Sequence, residues 1–195
     1  ARTTKMPVHE ARDGTRWEED HVYVMPASAQ IKLVDGFLRL QPRPAGPNHP
    51  VDEFFQSLAA EPSVRAIGVV LSGSGTDGTK GLRAIRSSGG LTFAQDASAK
   101  FDGMPRNAVQ AGCVDLVLSP EEIATELIKV GQHPYWFRIH SPPASEEGAN
   151  AVDAVLAILR RVTSVDFSFY KRSTLERRIL RRVVLHRLEG VEPYL

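Results

Sequence analysis

Asp77 is the residue of this chain best placed to do chemistry. It lies in Leu71-Ser-Gly-Ser-Gly-Thr-Asp-Gly-Thr-Lys-Gly81, where a continuous apolar run ends in a glycine-rich loop and a helix begins. The carboxyl end of a buried strand is where open α/β sheets bind their ligands. A carboxylate at that place has three readings. It can be a plain helix N-cap. It can belong to a ligand site, which its location at the strand end keeps open. Or Gly73, Gly75 and Gly78, in the pattern G-x-G-x-x-G with Asp96 ending the next strand, can form a dinucleotide fingerprint. In that fingerprint a pyrophosphate sits on the helix N-terminus. Asp77 would occupy the same place and repel it in a poorly solvated cleft. Spacing alone leaves all three readings open.

The elements that must hold this loop follow from the apolar pattern. Ala66–Leu71 is a continuous apolar run, as expected of a strand buried on both faces. A helix is predicted near Thr79–Ser88, ended by Gly89-Gly90. Leu91–Ala94 and Val114–Leu118 read as further strands. Between them Pro105–Ala111 reads as a short helix with Pro at its first position. Ser119-Pro-Glu-Glu opens another helix with a capping-box pattern. This alternation implies a parallel sheet with helices on both faces. Upstream, Val22–Pro26 reads as a strand, and Ile31–Val34 with Phe37–Leu40 as a hairpin turning at Asp35-Gly36. Gln41–Pro50, with four prolines and a glycine, reads as a loop, and Val51–Ala60 as an amphipathic helix.

Bulk properties narrow the function classes. The chain has 195 residues, 42% hydrophobic and 24% charged, ordinary values for a globular protein. No apolar run is long enough to span a bilayer, and the N-terminal sequence is not a secretory signal. The first residue is Ala, so the expectation is a fragment or a processed product. The single cysteine, Cys113, excludes an internal disulfide and a cysteine-based zinc site, and reads as a small buried residue. Residues 1–150 carry 15 Lys and Arg against 18 Asp and Glu, whereas residues 151–195 carry 9 against 5. Two segments of opposite sign point to two units with different partners.

Three segments together resemble a known family. They are Leu71–Gly81, then Gly89-Gly-Leu-Thr-Phe-Ala-Gln-Asp96, then Phe101-Asp-Gly-Met-Pro-Arg106. In this order and spacing they look like the carboxyl half of the chemotaxis methylesterase catalytic domain (CheB-type). Asp13-Gly14, His21–Pro26 and Val51–Leu58 also fit. A second resemblance follows. Thr163-Ser-Val-Asp-Phe167, Tyr170-Lys171 and Thr174–Arg182 look like the all-α N-terminal domain of the chemotaxis receptor methyltransferase (CheR-type). Together they resemble an internal piece of a hybrid that joins both activities.

The resemblance implies an α/β fold, an incomplete doubly wound parallel sheet followed by a short all-α segment. It implies a methylesterase part over 1–130 with its N-terminal part missing, a linker over 131–149 rich in Pro and Gly, and the start of the methyltransferase domain over 150–195. Pro193-Tyr-Leu195 reads as the beginning of a further helix. A sheet lacking its upstream strand would expose an edge and an apolar patch, so a marginal fold is expected.

For chemistry, the resemblance implies hydrolysis of glutamate methyl esters on chemoreceptors by a Ser-His-Asp triad, without a cofactor. Its acid falls on Asp77, expected to stay ionised because backbone N–H groups at a helix start hold it. The loop Gly73-Ser74-Gly75, with Gly78, supports the site. An oxyanion donor is expected at the backbone N–H of Ser74, where the family often has Met. Neither the family's nucleophile loop nor its histidine motif is present. Ser72 and Ser74 lack a matching base, Gln132-His133 follows the acid instead of preceding it, and His9, His21 and His49 match no catalytic position. The chain alone is therefore expected to be inactive. In the basic segment, Arg177, Arg178, Arg181 and Arg182 stack at i,i+4 opposite Leu175, Ile179 and Val183. A solvated helix face is the plain reading, and contact with the acidic methylation region of a receptor is the one the resemblance implies. S-adenosylmethionine would need a downstream domain. The implied partners are a chemoreceptor and other chemotaxis signalling proteins, in the cytoplasm, with no nucleic acid and no membrane insertion.

Overall fold

The structure is a computed structural model, and it describes residues 4–46, 48–62, 64–134, 136 and 146–191. The chain divides into two compact units, Ala1–Ser119 and Pro120–Leu195.

Among the described residues the first unit contains three small sheets. β1 (Val8–Glu10) pairs in parallel with β3 (Val22–Val24). β2 (Thr15–Arg16), β5 (Phe37–Pro42) and β4 (Ala29–Val34) form an antiparallel sheet in the order β2-β5-β4. The hairpin turns where predicted. Asp35 and Gly36 both take positive φ, 51° and 79°, the pair of angles a type I′ turn requires. β5 runs on to Pro42, so the proline-rich loop is shorter than the sequence suggests. Helix α1 (Pro50–Ala60) follows with Pro at its first position.

The rest of the unit alternates as expected: β6 (Ile67–Val70), α2 (Thr79–Ser87), β7 (Leu91–Gln95), α3 (Gly103–Gln110) and β8 (Leu116–Leu118). β6, β7 and β8 form a parallel sheet in that order. The central strand β7 is buried along Leu91–Ala94. α3 starts two residues earlier than predicted, so Pro105 is its third residue. The N–H groups of the first turn have no carbonyl partner within the helix, so Pro, which lacks one, is tolerated there too.

Helix α1 serves two cores. Phe54 and Leu58 pack on the cluster of Ala11, Ile31, Leu33 and Leu38, over the antiparallel sheet. Phe55, one residue on, packs with Val70, Leu82, Ala108 and Cys113, beside the parallel sheet. Cys113 is buried as expected, and burial pushes its thiol pKa up. Phe54, Phe55 and Leu58 are partly buried, so each contributes only part of the roughly 1.5–3 kcal/mol of full burial, and together they join α1 to both cores.

The second unit contains α4 (Pro120–Gln132), α5 (Glu146–Thr163), a 3₁₀ turn over Phe167–Phe169 and α6 (Arg172–Leu185). Val152 and Val155 of α5 meet Ile179 and Val183 of α6, with Val191 closing the cluster. Residues 137–145, within the stretch expected as a linker, and Pro193–Leu195, expected to begin a helix, lie outside the described residues. Among the described residues no helix is long and apolar enough to cross a membrane.

Candidate active site

Asp77 stands at the end of the loop that leaves β6. Its carboxylate does not cap α2, the helix it precedes. The N-cap of α2 is Gly78, at φ 88°, with no side-chain cap bond. Instead the carboxylate caps α1. Oδ2 accepts the Val51 N–H at 3.1 Å, and Oδ1 accepts the Asp52 N–H at 2.9 Å. Oδ1 also accepts the Gly78 N–H at 2.9 Å. The expectation of backbone N–H groups at a helix start holds, but the helix is α1. These donors and the positive end of α1 fix the direction of the carboxylate.

The reverse contact is also made. Asp52, 5% exposed, accepts the Gly81 N–H of α2 at 2.8 Å. The helices approach so closely at Gly81 that a Cβ there would sit 2.4 Å from Phe55 Cβ and 3.1 Å from Asp52 Cα. Only glycine fits that crossing.

The three motif segments meet at this loop. The Ser72 N–H donates to Gln95 Oε1 at 2.9 Å, and the Phe101 N–H donates to Ser72 Oγ at 2.9 Å. The Gly73 N–H donates to the Phe101 carbonyl and the Met104 N–H to the Gly73 carbonyl, both at 2.8 Å. Asn107 Nδ2 donates to the carbonyls of Gly75 (2.9 Å) and Gly103 (2.7 Å). The loop is thus tied on both strands of its path, and Gly75 supplies the left-handed turn at φ 85°.

Two residues to which the sequence assigned no role at this loop contribute here. Met104 covers Gly73, where an added Cβ would lie 2.4 Å from Met104 Sδ. A methionine from α3 therefore shields this loop although position 74 is Ser. His49 precedes α1, and its Nδ1 lies 3.9 Å from Asp77 Oδ1. That is beyond hydrogen-bond reach. No pattern in the sequence signals either contact, because both join segments far apart in the chain.

His49, Asp52 and Asp77 each offer one ligand atom, all within 4.8 Å of one another. Both oxygens of Asp77 and one of Asp52 already accept backbone N–H bonds, so helix capping accounts for the cluster. Asp96 is turned to its own loop, where Ser98 donates to it from Oγ (2.6 Å) and N–H (3.0 Å). These bonds hold the Asp96 carboxyl below its ordinary range. His9 and His21 stack on each other at 5.6 Å, beside Tyr23. His133 Nε2 donates to the Leu188 carbonyl at 3.2 Å.

The four arginines of α6 are not equivalent. Arg178 and Arg182 are exposed, Arg177 is half-buried and Arg181 is 8% exposed. The stripe expected from i,i+4 spacing is split, with Arg181 inside.

The family model for the CheB methylesterase matches residues 1–127, and that for the all-alpha domain of the CheR methyltransferase matches residues 150–195. An uncharacterised 104.1 kDa protein of Rhodobacter capsulatus is 34% identical over 218 residues, covering 100% of this chain and 23% of that protein. A protein-glutamate methylesterase/protein-glutamine glutaminase of Myxococcus xanthus is 46% identical over 118 residues, 59% of this chain and 33% of its own. The Escherichia coli K12 protein of the same name is 35% identical over 133 residues, 62% and 37% respectively. This chain spans less than half the length of each of these relatives. The crystal structure of the Thermotoga maritima CheB methylesterase catalytic domain superposes with a TM-score of 0.58 at 28% identity, over 66% of this chain and 72% of that one.

Proposed function

The chain belongs to the CheB methylesterase family, and from that premise we propose that Asp77 is the acid of a Ser-His-Asp set that hydrolyses glutamate methyl esters on a chemoreceptor. The observation that carries this reading is the rigid presentation of Asp77. Three backbone N–H groups hold its carboxylate, at the end of a loop pinned by both other motif segments. An orienting acid needs that fixity, because a misaligned imidazole loses most of its value as a base.

In the proposed reaction a serine oxygen attacks the ester carbonyl and its proton passes to the imidazole. The tetrahedral intermediate collapses, and methanol leaves with the proton returned by the imidazolium. Water, deprotonated by the same imidazole, then attacks the acyl-serine and frees the glutamate. Asp77 orients the imidazole throughout and stabilises its charged form. The Ser74 N–H is the proposed donor to the developing oxyanion. The relatives' names join esterase and glutaminase. An amide of glutamine would follow the same steps with ammonia as the leaving group.

The serine and the histidine are supplied from outside these residues. Ser72 Oγ is engaged by the Phe101 N–H. Among the described residues no imidazole is within hydrogen-bond distance of Asp77. In this proposal the chain alone is inactive, and the reaction needs no cofactor. The basic helix α6 would meet the acidic methylation region of the receptor in the cytoplasm. Methyl transfer would need S-adenosylmethionine held by a domain other than the all-alpha one.

The test is methanol release from a methylated chemoreceptor. The 195-residue chain should release none. A polypeptide joining it to the family's serine- and histidine-bearing segment should be active, and Asp77→Asn should lower its kcat by roughly 10³–10⁴. Full activity of that variant would refute the assignment and favour a receptor-binding module without chemistry.

A further inference from the structure

The end of α6 carries an anomaly. The Leu188 N–H donates to the Val183 carbonyl at 3.0 Å and the Arg187 N–H to the Val184 carbonyl at 3.1 Å. These two bonds define a Schellman cap, whose C′ residue takes left-handed backbone and is usually Gly. Here that residue is Arg187, at φ 55°. Among the described residues the other non-glycine positions at positive φ are Asp20, Asp35 and Ser164. Those are short polar side chains. A long arginine in this conformation carries strain that glycine would remove. Strain at one position directs attention to what its side chain does.

The Arg187 guanidinium reaches α4. Its Nη2 lies 2.6 Å from Glu126 Oε1. Glu126 is 16% exposed and also holds Lys129 of its own helix at 2.7 Å. The next residue of the same cap makes a second contact with the end of α4, because the Leu188 carbonyl accepts His133 Nε2–H at 3.2 Å. Leu188 itself packs on the cluster of Ile179 and Val183. So two consecutive cap residues of α6, 61 and 55 positions along the chain from their partners, both grip α4.

The placement of α4 gives this meaning. Glu126 lies within the segment matched by the methylesterase model, and Arg187 and Leu188 within the segment matched by the all-alpha methyltransferase model. Yet α4 belongs to the second compact unit, and only Ser119 separates it from β8. We propose that the cap of α6 is a socket for α4, built around Arg187, so that the closing helix of the methylesterase segment is latched to the methyltransferase segment. Arg187 occupies a glycine position because the latch needs its guanidinium there. The inference does not depend on the ester chemistry.

Hydrogen exchange of the full 195-residue chain tests it, with Arg187→Gly as the decisive variant. Glycine relieves the left-handed strain, so the last turn of α6 should exchange no faster than before. The latch is lost, so the amides of α4 around Glu126 should exchange roughly two- to fivefold faster, the rate equivalent of one ion pair. Glu126→Gln should accelerate α4 by a similar factor while leaving the α6 cap untouched, and the two changes combined should do little more than either alone. Arg187→Lys should keep most of the protection. Unchanged α4 exchange in Arg187→Gly would overturn the proposal, as would full additivity of the two variants. Either result would make Arg187 a residue of its own cap alone.

Discussion

Asp52 and Asp77 each cap the helix that starts beside the other. Asp77 accepts N–H groups of Val51 and Asp52 at the start of α1, and Asp52 accepts the N–H of Gly81 in the first turn of α2. Two helix N-termini therefore converge on two carboxylates, which offsets the repulsion between the acids. The proposed catalytic acid is thus also a structural cap, and its replacement has two separable consequences.

Stability and chemistry should part company in the Asp77 series. Asp77→Ala leaves three backbone donors without their acceptor and should cost about 1–2 kcal/mol in urea unfolding. Asp77→Asn keeps one acceptor oxygen and should cost less than Ala. In an active polypeptide both should lose most of kcat. A stability loss larger for Asn than for Ala would contradict the capping role.

The crossing of α1 and α2 depends on Gly81. Gly81→Ala places a methyl against Phe55 Cβ and the Asp52 backbone. Neither can retreat without moving α1 away from both cores. Overpacking of this kind costs about 1–3 kcal/mol. The melting temperature should fall, whereas Gly75→Ala, in open space but at φ 85°, should cost only the left-handed penalty of about 1–2 kcal/mol.

How far the sequence disclosed this arrangement depends on the range of each contact. The Asp35-Gly36 turn, the β6 run and Gly89 at the end of α2 are local signals, and each element lies within a few residues of its prediction. The cap of Asp77 on α1 was not legible, because a carboxylate before a helix looks the same whichever helix it serves. Met104 over Gly73 escaped for the same reason. β1 and β2 are three and two residues long, too short for alternation to show. Arg181 is buried although it lies on the face of α6 opposite Ile179 and Val183, and spacing within one helix cannot reveal the tertiary contacts that cover it.

Two titrations should leave marks on stability. The Glu126 carboxyl is held below its ordinary range by the hydrogen bond from Lys129 first, against the opposing effect of burial, with Arg187 adding to Lys129. A lowered carboxylate contributes stability above the ordinary Glu value of about 4.3, and that contribution is lost as pH falls through the lower folded value. Glu126→Gln should flatten this acid limb, by less than about 1 kcal/mol.

Cys113 shows the opposite sign. Burial is the largest cause of its raised thiol pKa, opposed by the charges of Arg83 and Arg86. Its contribution is complete below the unfolded thiol value of about 8.5 and is lost as pH rises through the higher folded value. Alkylation by iodoacetamide at pH 8 should be much slower in the folded chain than in urea. Equal rates would show that the thiol is reached without unfolding.

The arginines of α6 allow binding to be separated from folding. Arg178 and Arg182 are exposed, so replacing either by Ala should change stability by less than about 0.5 kcal/mol. Arg181 is 8% exposed, so its long side chain is covered by the fold. Arg181→Ala should therefore cost about 1–3 kcal/mol. If α6 meets an acidic receptor segment, Arg178→Glu with Arg182→Glu should weaken that binding, and the salt dependence of what remains should be shallower, because exposed charges act through screened Coulomb forces. The chain should keep its melting temperature. Undiminished receptor binding by the doubly reversed chain would assign the exposed arginines to solvation alone and leave Arg181 as the one that the fold requires.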